Sequence, residues 1–145
     1  LEMATKFGAT HTINALKQNP VQRIIELTGN IGVDYAFETI GKIETMEQAY
    51  ESTTKYGGYV NIVGVPPHGG KISIDAYPLH DGKRLEGASG GRTQKERDFP
   101  RYIELYFAGK LKLDELITHR YKLDQINDAF LAMEKGELGR AIIEF

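Results

Sequence analysis

Two stretches, Gly32-Val-Asp-Tyr-Ala-Phe-Glu-Thr-Ile-Gly41 and Gly58-Tyr-Val-Asn-Ile-Val-Gly-Val-Pro-Pro67, decide how this chain folds. Each is a β-branched and aromatic run that meets a glycine, Gly41 in the first and Gly64 in the second, and the segment between them has the apolar spacing of a helix. Strand, helix, strand in that order implies a parallel pair, since parallel neighbours need a crossover. In open parallel sheets the ligand crevice lies beyond the carboxyl ends of the strands. Gly41 and Gly64 stand at those ends, where a bare backbone is expected to let a flat or charged ligand come close. No glycine-rich phosphate turn precedes the two runs, so the order reads as a fold entered partway through.

The flanking segments extend the alternation. Leu1–Phe7 reads as the tail of a helix closed by Gly8, and Thr10–Asn14 as a short strand. Asn19-Pro20 supplies an N-cap and a first-turn proline to a helix carrying Val21, Ile24, Ile25 and Thr28, which Gly29 stops. Val33–Glu38 is the first strong strand. Thr45-Met-Glu-Gln48 has the form of a capping box, and Met46, Ala49, Tyr50 and Thr53 make the stripe of the next helix. Tyr59–Val65 is the second strong strand.

Beyond Pro67, Lys71–Ala76 alternates polar and apolar like a half-exposed strand, and Arg84–Ala88 leads into Ser89-Gly90-Gly91. Tyr102, Ile103, Tyr106 and Phe107 form one helical face. Asp124 is placed to cap a helix carrying Ile126, Ala129, Phe130 and Met133, and Arg140–Phe145 closes the chain as a strand. Strands alternating with helices of this length mean an α/β layered sheet.

Composition narrows the function. The 145 residues are 41% hydrophobic, enough for the core of one ordinary domain. Eighteen basic against twenty acidic residues give a net charge of −2, which argues against nucleic acid or an anionic membrane as the main partner. There is no apolar run of the ~18 residues that a membrane span needs and no signal segment at the start. The absence of cysteine removes disulfides and thiolate metal sites. A soluble, cytoplasmic protein is the expectation. The histidines at 11, 68, 80 and 119 include no pair at helical ligand spacing, so no metal site is expected from this chain.

Individual candidates carry two readings each. Glycines 41, 64, 87, 90 and 91 are either turn punctuation or the floor of a site. Arg84, Arg92, Arg97 and Arg101 alternate with acids and read as a solvated mixed-charge face. Arg140 follows Gly139 and opens an apolar strand. It either starts that strand or reaches a phosphate in two-pronged fashion.

The order F-E-T-I-G at 37–41, I-V-G-V-P-P at 62–67, G-A-S-G-G at 87–91, L-I-T-H at 116–119 and G-R-A-I-I-E-F at 139–145 resembles the C-terminal part of zinc-type alcohol dehydrogenases. These belong to the medium-chain dehydrogenase/reductase superfamily, and the likeness is closest to the class III and related bacterial branches. It implies an α/β fold, the second half of a Rossmann-type doubly wound parallel sheet plus the C-terminal piece of the catalytic domain. Residues 1–89 would be a partial NAD-binding domain lacking its first βαβ unit, and residues 90–145 the catalytic segment.

The resemblance also implies site residues. Ile40 would line the adenosine side of the crevice. Val63, Gly64 and Val65 would run along the nicotinamide, with Ala88, Ser89 and Gly90 at the carboxamide from the other side. Arg140 would grip the pyrophosphate. Lys71–Ala76 would pair across a two-fold axis in a homodimer or tetramer, bringing Tyr77 and His80 toward the neighbouring subunit's substrate channel. Family members commonly carry a bulkier, more apolar pair where Ser89 and Gly90 stand, so preference among alcohols does not transfer.

No catalytic residue and no metal ligand is assigned within the chain. Zinc, the glycine-rich turn and the residue that selects NAD over NADP would lie before Leu1, and the 145 residues alone are expected to be inactive. The substrate would be a small alcohol or aldehyde. Rival readings are a zinc-free reductase of quinone or enoyl substrates and a truncated, non-enzymatic association module.

Overall fold

The structure is a computed structural model that describes all 145 residues. The chain divides into two compact units, Leu1–Thr93 and Gln94–Phe145.

The first unit opens with α1 (Glu2–Lys6) and α2 (Pro20–Leu27). Asn19 caps α2 as its sequence foretells: its side-chain oxygen accepts the Gln22 N–H at 3.1 Å, and Pro20 occupies the first helical position, where no N–H is needed. Then follow β1 (Tyr35–Glu38), α3 (Ile43–Ser52), β2 (Tyr59–Ile62), the single turn α4 (Tyr77–His80) and β3 (Arg84–Gly87). The three strands form one sheet in the order β1-β2-β3, parallel throughout. Tyr59 pairs with Tyr35 on one side and Arg84 on the other, and Ile62 with Glu38 and Gly87, so the carboxyl ends finish level.

Alternation sorts the sheet into two faces. Glu38 and Val60 are buried on the side where α3 packs, together with Met46 and Tyr50 of that helix. Tyr35 and Phe37 point the other way and are largely exposed. Met46, Tyr50 and Thr53, three of the four residues in the helical stripe, are buried as that spacing requires.

Three stretches of this unit do not form, within the chain, the element or cap that their pattern suggests. Residues 10–14 form no strand, because a β-branched run becomes a strand only where a neighbour offers a ladder, and no strand of this chain lies beside it. Lys71–Ala76 likewise forms no ladder within the chain. It lies along α3, where Ser73 N–H donates to the Glu47 carboxylate at 2.7 Å and the Asp75 carbonyl accepts the Tyr50 hydroxyl at 2.7 Å. Thr45 makes no capping box: α3 starts two residues earlier at Ile43, and the Gln48 side chain donates to Glu44 instead.

The second unit comprises α5 (Lys95–Phe107), β4 (Ile117–Lys122), α6 (Ile126–Glu134) and β5 (Arg140–Glu144). β4 and β5 are parallel, with Ile117 opposite Arg140 and Lys122 opposite Glu144, and α6 provides the crossover, burying Ala129. β5 falls where the sequence puts it. β4 carries only Ile117 and Tyr121 as large apolar residues, too few to signal a strand. Asp124 caps no helix; it sits inside a short 3-10 turn, and the Gln125 side chain accepts the Lys122 N–H at 3.0 Å. Of the apolar face on α5, Tyr102, Ile103 and Phe107 are exposed.

Candidate functional site

Beyond the carboxyl ends of β1, β2 and β3 the chain runs on as Thr39–Gly41, Val63–Val65 and Ala88–Gly90. These ends are tied together in register. The Glu38 carbonyl accepts the N–H groups of Val63 at 2.8 Å and Gly64 at 3.0 Å, and the Ile62 carbonyl accepts the Ala88 N–H at 2.9 Å. The result is a row of apolar side chains held on rigid backbone yet open to solvent: Ile40 is 66%, Val63 42% and Val65 87% exposed. At the β3 end a Cβ on Gly87 or Gly90 would meet nothing within 4 Å, so that side of the row is open as well. There the chain turns through three consecutive left-handed residues, Gly90, Gly91 and Arg92. Arg92, at φ +52°, adopts this conformation without glycine's freedom.

Gly41 and Gly64 have a different purpose from the one their position suggests. A Cβ on Gly41, which sits at φ +91°, would strike the Val65 carbonyl, and one on Gly64 would strike the Gly41 backbone. The same atom on Gly64 would stand 2.6 Å from a Glu38 carboxylate oxygen. Both glycines are therefore required by the close packing of the strand ends, whatever approaches them from outside.

Glu38 is the group that sequence reading passes over. Its carboxylate is buried and accepts the Ile40 N–H at 2.8 Å, the Gly41 N–H at 2.9 Å and the Thr45 hydroxyl at 2.8 Å. Burial by itself would raise its pKa, but the bonds from Gly41, Thr45 and Ile40 outweigh that and hold it below the ordinary glutamate value. It therefore stays ionised at neutral pH. A carboxylate on the last residue of a strand, three residues before a glycine and seven before a threonine, was the available signal.

The remaining candidates lie elsewhere. Tyr77 and His80 bracket the turn α4 with their rings 6.2 Å apart, and Tyr77 is 70% exposed. Arg140 belongs to the second unit, at the first position of β5, where its carbonyl accepts the Thr118 hydroxyl at 3.4 Å. Its side chain enters no ion pair within the chain. No three His, Cys, Asp or Glu residues stand close enough to hold a metal ion, so zinc does not fit any residue set present here.

A cavity of about 740 Å³ is at the opposite, amino-terminal end of the strands, lined by residues that include Ile31, Tyr50, Thr54, Tyr56 and Lys83. The buried Lys83 ammonium already donates to the carbonyls of Tyr50 at 2.6 Å and Thr53 at 3.0 Å, and lies 4.0 Å from the centre of the Tyr50 ring. Its donors are committed to the end of α3, and nothing in this cavity points to a ligand of defined chemistry. A smaller hollow of about 400 Å³ adjoins the β1 end and includes Phe37, Glu38, Thr39, Ile40 and Thr45 in its lining.

Residues 1–108 match the family model for zinc-binding dehydrogenases. The chain is 36% identical to S-(hydroxymethyl)glutathione dehydrogenase of Paracoccus denitrificans over 97% of its own length, and 39% identical to alcohol dehydrogenase class-3 of Drosophila melanogaster over 99%. It covers 39% of each of those relatives. Among solved structures, benzyl alcohol dehydrogenase from Acinetobacter calcoaceticus superposes on the whole chain with a TM-score of 0.91 at 34% identity, the chain covering 40% of it. An alcohol dehydrogenase zinc-binding domain protein from Burkholderia ambifaria follows at 0.89 and 31%, again over the whole chain and 39% of that structure. The parallel sheet with its level carboxyl ends is that of the Rossmann-like cofactor-binding domain in these enzymes. With the model matched over 108 of 145 residues, the chain belongs to the zinc-binding dehydrogenase family.

Proposed function

We propose that the chain is the cofactor-binding and dimerisation part of a zinc-dependent, NAD(P)-linked alcohol dehydrogenase. The observation that carries this reading is the open apolar row at the level ends of β1, β2 and β3, the place where parallel sheets take flat ligands. Ile40 lies at the adenosine side. Val63, Gly64 and Val65 lie along the nicotinamide, and Ala88, Ser89 and Gly90 hold the carboxamide from the other side. The Arg140 guanidinium grips the pyrophosphate, a role for which its lack of an ion partner leaves it available.

When bound, the nicotinamide supplies the hydride acceptor for oxidation of a small alcohol, or the donor for reduction of an aldehyde. The chain's own contribution is positional: its apolar row excludes water from one face of the ring and its backbone fixes the ring's orientation. The metal of such an enzyme is held by residues other than these. Lys71–Ala76 pairs with its two-fold copy, and Tyr77 and His80 reach the neighbouring subunit's substrate channel. A cytoplasmic location fits a dinucleotide-linked enzyme, and no helix of the chain is long and apolar enough to cross a membrane.

The test is fluorescence titration of NADH into the natural polypeptide, expressed as its gene encodes it, beside its Arg140→Leu variant at fixed ionic strength. Loss of a charge-assisted hydrogen bond should weaken NADH binding about 10- to 150-fold, and Arg140→Lys should recover only part, being a point charge in place of a planar fork. A change under about twofold, with a lowered melting temperature, would assign Arg140 to the β4–β5 pair alone.

A further inference from the structure

The three chain segments at the strand ends do not share one element, so something must hold them in a common geometry before a ligand arrives. At the carboxyl ends of β1 and β2 the main chain contributes bonds from Val63 and Gly64 to the Glu38 carbonyl. The segment Thr39–Lys42, by contrast, is a loop between β1 and α3, and its path is fixed by one side chain. The Glu38 carboxylate takes the N–H groups of Ile40 and Gly41 with one oxygen, and the same oxygen accepts the Thr45 hydroxyl from the first turn of α3. Its second oxygen lies against Gly64 and within 3.2 Å of the Gly41 nitrogen. Gly41 in turn abuts Val65 and Gly64. One buried carboxylate thus touches the end of β1, the start of α3 and the exit of β2.

We propose that Glu38 is a positioning residue for the dinucleotide: through the 40–41 loop it sets Ile40 against Val63–Val65 as one preformed wall. The inference rests on the reading of the strand ends as the cofactor crevice. Glu38 itself does not reach the ligand, being covered by the loop it holds. Its effect on binding comes from preorganisation: without it the loop must be ordered at the moment of binding, and affinity falls by that cost. Three N–H or O–H donors converge on one oxygen of the group, and a charged oxygen accepts them more strongly than a neutral one does. A glutamine keeps the shape and its amide oxygen can face the three donors, but it lacks the charge that strengthens those bonds and sets an N–H₂ at the place of the second oxygen, against the Gly41 N–H.

The experiment uses the natural polypeptide and two variants, Glu38→Gln and Thr45→Val, the second removing one donor while leaving the carboxylate and the core in place. NADH affinity is measured well below the melting temperature of each protein, alongside amide hydrogen exchange at residues 39–45 and 62–65 without ligand. The expected result is NADH binding weakened about tenfold or more in Glu38→Gln, the equivalent of one lost buried hydrogen bond. A smaller loss is expected in Thr45→Val, and exchange at Ile40 and Gly41 should be faster in both while exchange in β2 is unchanged. Should Glu38→Gln fail to fold, Thr45→Val decides by the same two readouts. Affinities within twofold of the parent in folded variants would overturn the proposal and leave Glu38 a purely structural group. If the parent itself binds no NADH, the cofactor reading fails; unaltered exchange at Ile40 and Gly41 would then overturn the positioning role on its own terms.

Discussion

Gly41 and Gly64 show how one residue type serves two purposes at one sheet edge. Both sit where their neighbours are backbone atoms that cannot step aside, whereas Gly87, at the end of the third strand, faces open space. A methyl group at position 64 must therefore push the β1 and β2 ends apart, and Gly64→Ala should lower stability by about 1–3 kcal/mol in urea denaturation. Gly87→Ala should cost under about 1 kcal/mol, since nothing crowds it and its backbone is not left-handed. Equal losses at the two positions would mean that the close approach of the strand ends is not what selects glycine. From sequence, the three glycines look alike. Only the neighbours supplied by other segments separate a packing glycine from a merely permitted one. Glu38 is easily passed over for the same reason: a glutamate in a strand reads as a solvent-facing residue until its three donors come together from a loop and a helix.

At the scale of elements, the legible parts were those whose pattern is local. The Asn19-Pro20 start of α2, the buried stripe of α3 and the strands β1, β2 and β5 all follow from capping chemistry and periodicity. Thr10–Asn14 and Lys71–Ala76 carry strand-like patterns of equal quality and form no ladder within the chain, because pairing belongs to two segments and not to one.

The end of α3 is held by a residue far away in sequence. Lys83 reaches the carbonyls of Tyr50 and Thr53, placing a cation at the negative end of the helix. Tyr50's carbonyl is also bonded by the Thr53 N–H and hydroxyl, so removing the lysine leaves Thr53's carbonyl as the orphan. Lys83→Met should therefore cost about 1–3 kcal/mol of stability by urea denaturation, and a loss below about 0.5 kcal/mol would show that water replaces the ammonium there. Lys71–Ala76 invites a separate test. If its copy completes a ladder across a two-fold axis, Ile74→Pro removes a donor and should shift the dimer toward monomer on dilution, as followed by light scattering. Unchanged mass and concentration dependence would count against that pairing.

The molecule as a whole consists of a three-stranded parallel sheet with helices on one face and a separate strand–helix–strand unit. Parallel sheets are ordinarily covered on both faces, yet Tyr35 and Phe37 stand exposed on the bare side. The chain spans about two-fifths of its relatives. Fold class and family order were legible because five short motifs fall in sequence. The proposed location of the site rests on strand direction, which singles out one end of a parallel sheet for ligands. What no sequence pattern reveals is that a cavity of about 740 Å³ opens at the other end of the same strands, beside a lysine already bonded to the end of α3.

That contrast makes the most direct measurement clear: amide hydrogen exchange of the natural polypeptide with and without saturating NADH, read segment by segment. Slower exchange at residues 62–65 and 87–91 on adding NADH, with no change at 50–56 and 81–84, is the expected result. Slowing around Lys83 instead, or no slowing anywhere in the chain, would contradict the assignment of the strand ends as the cofactor crevice.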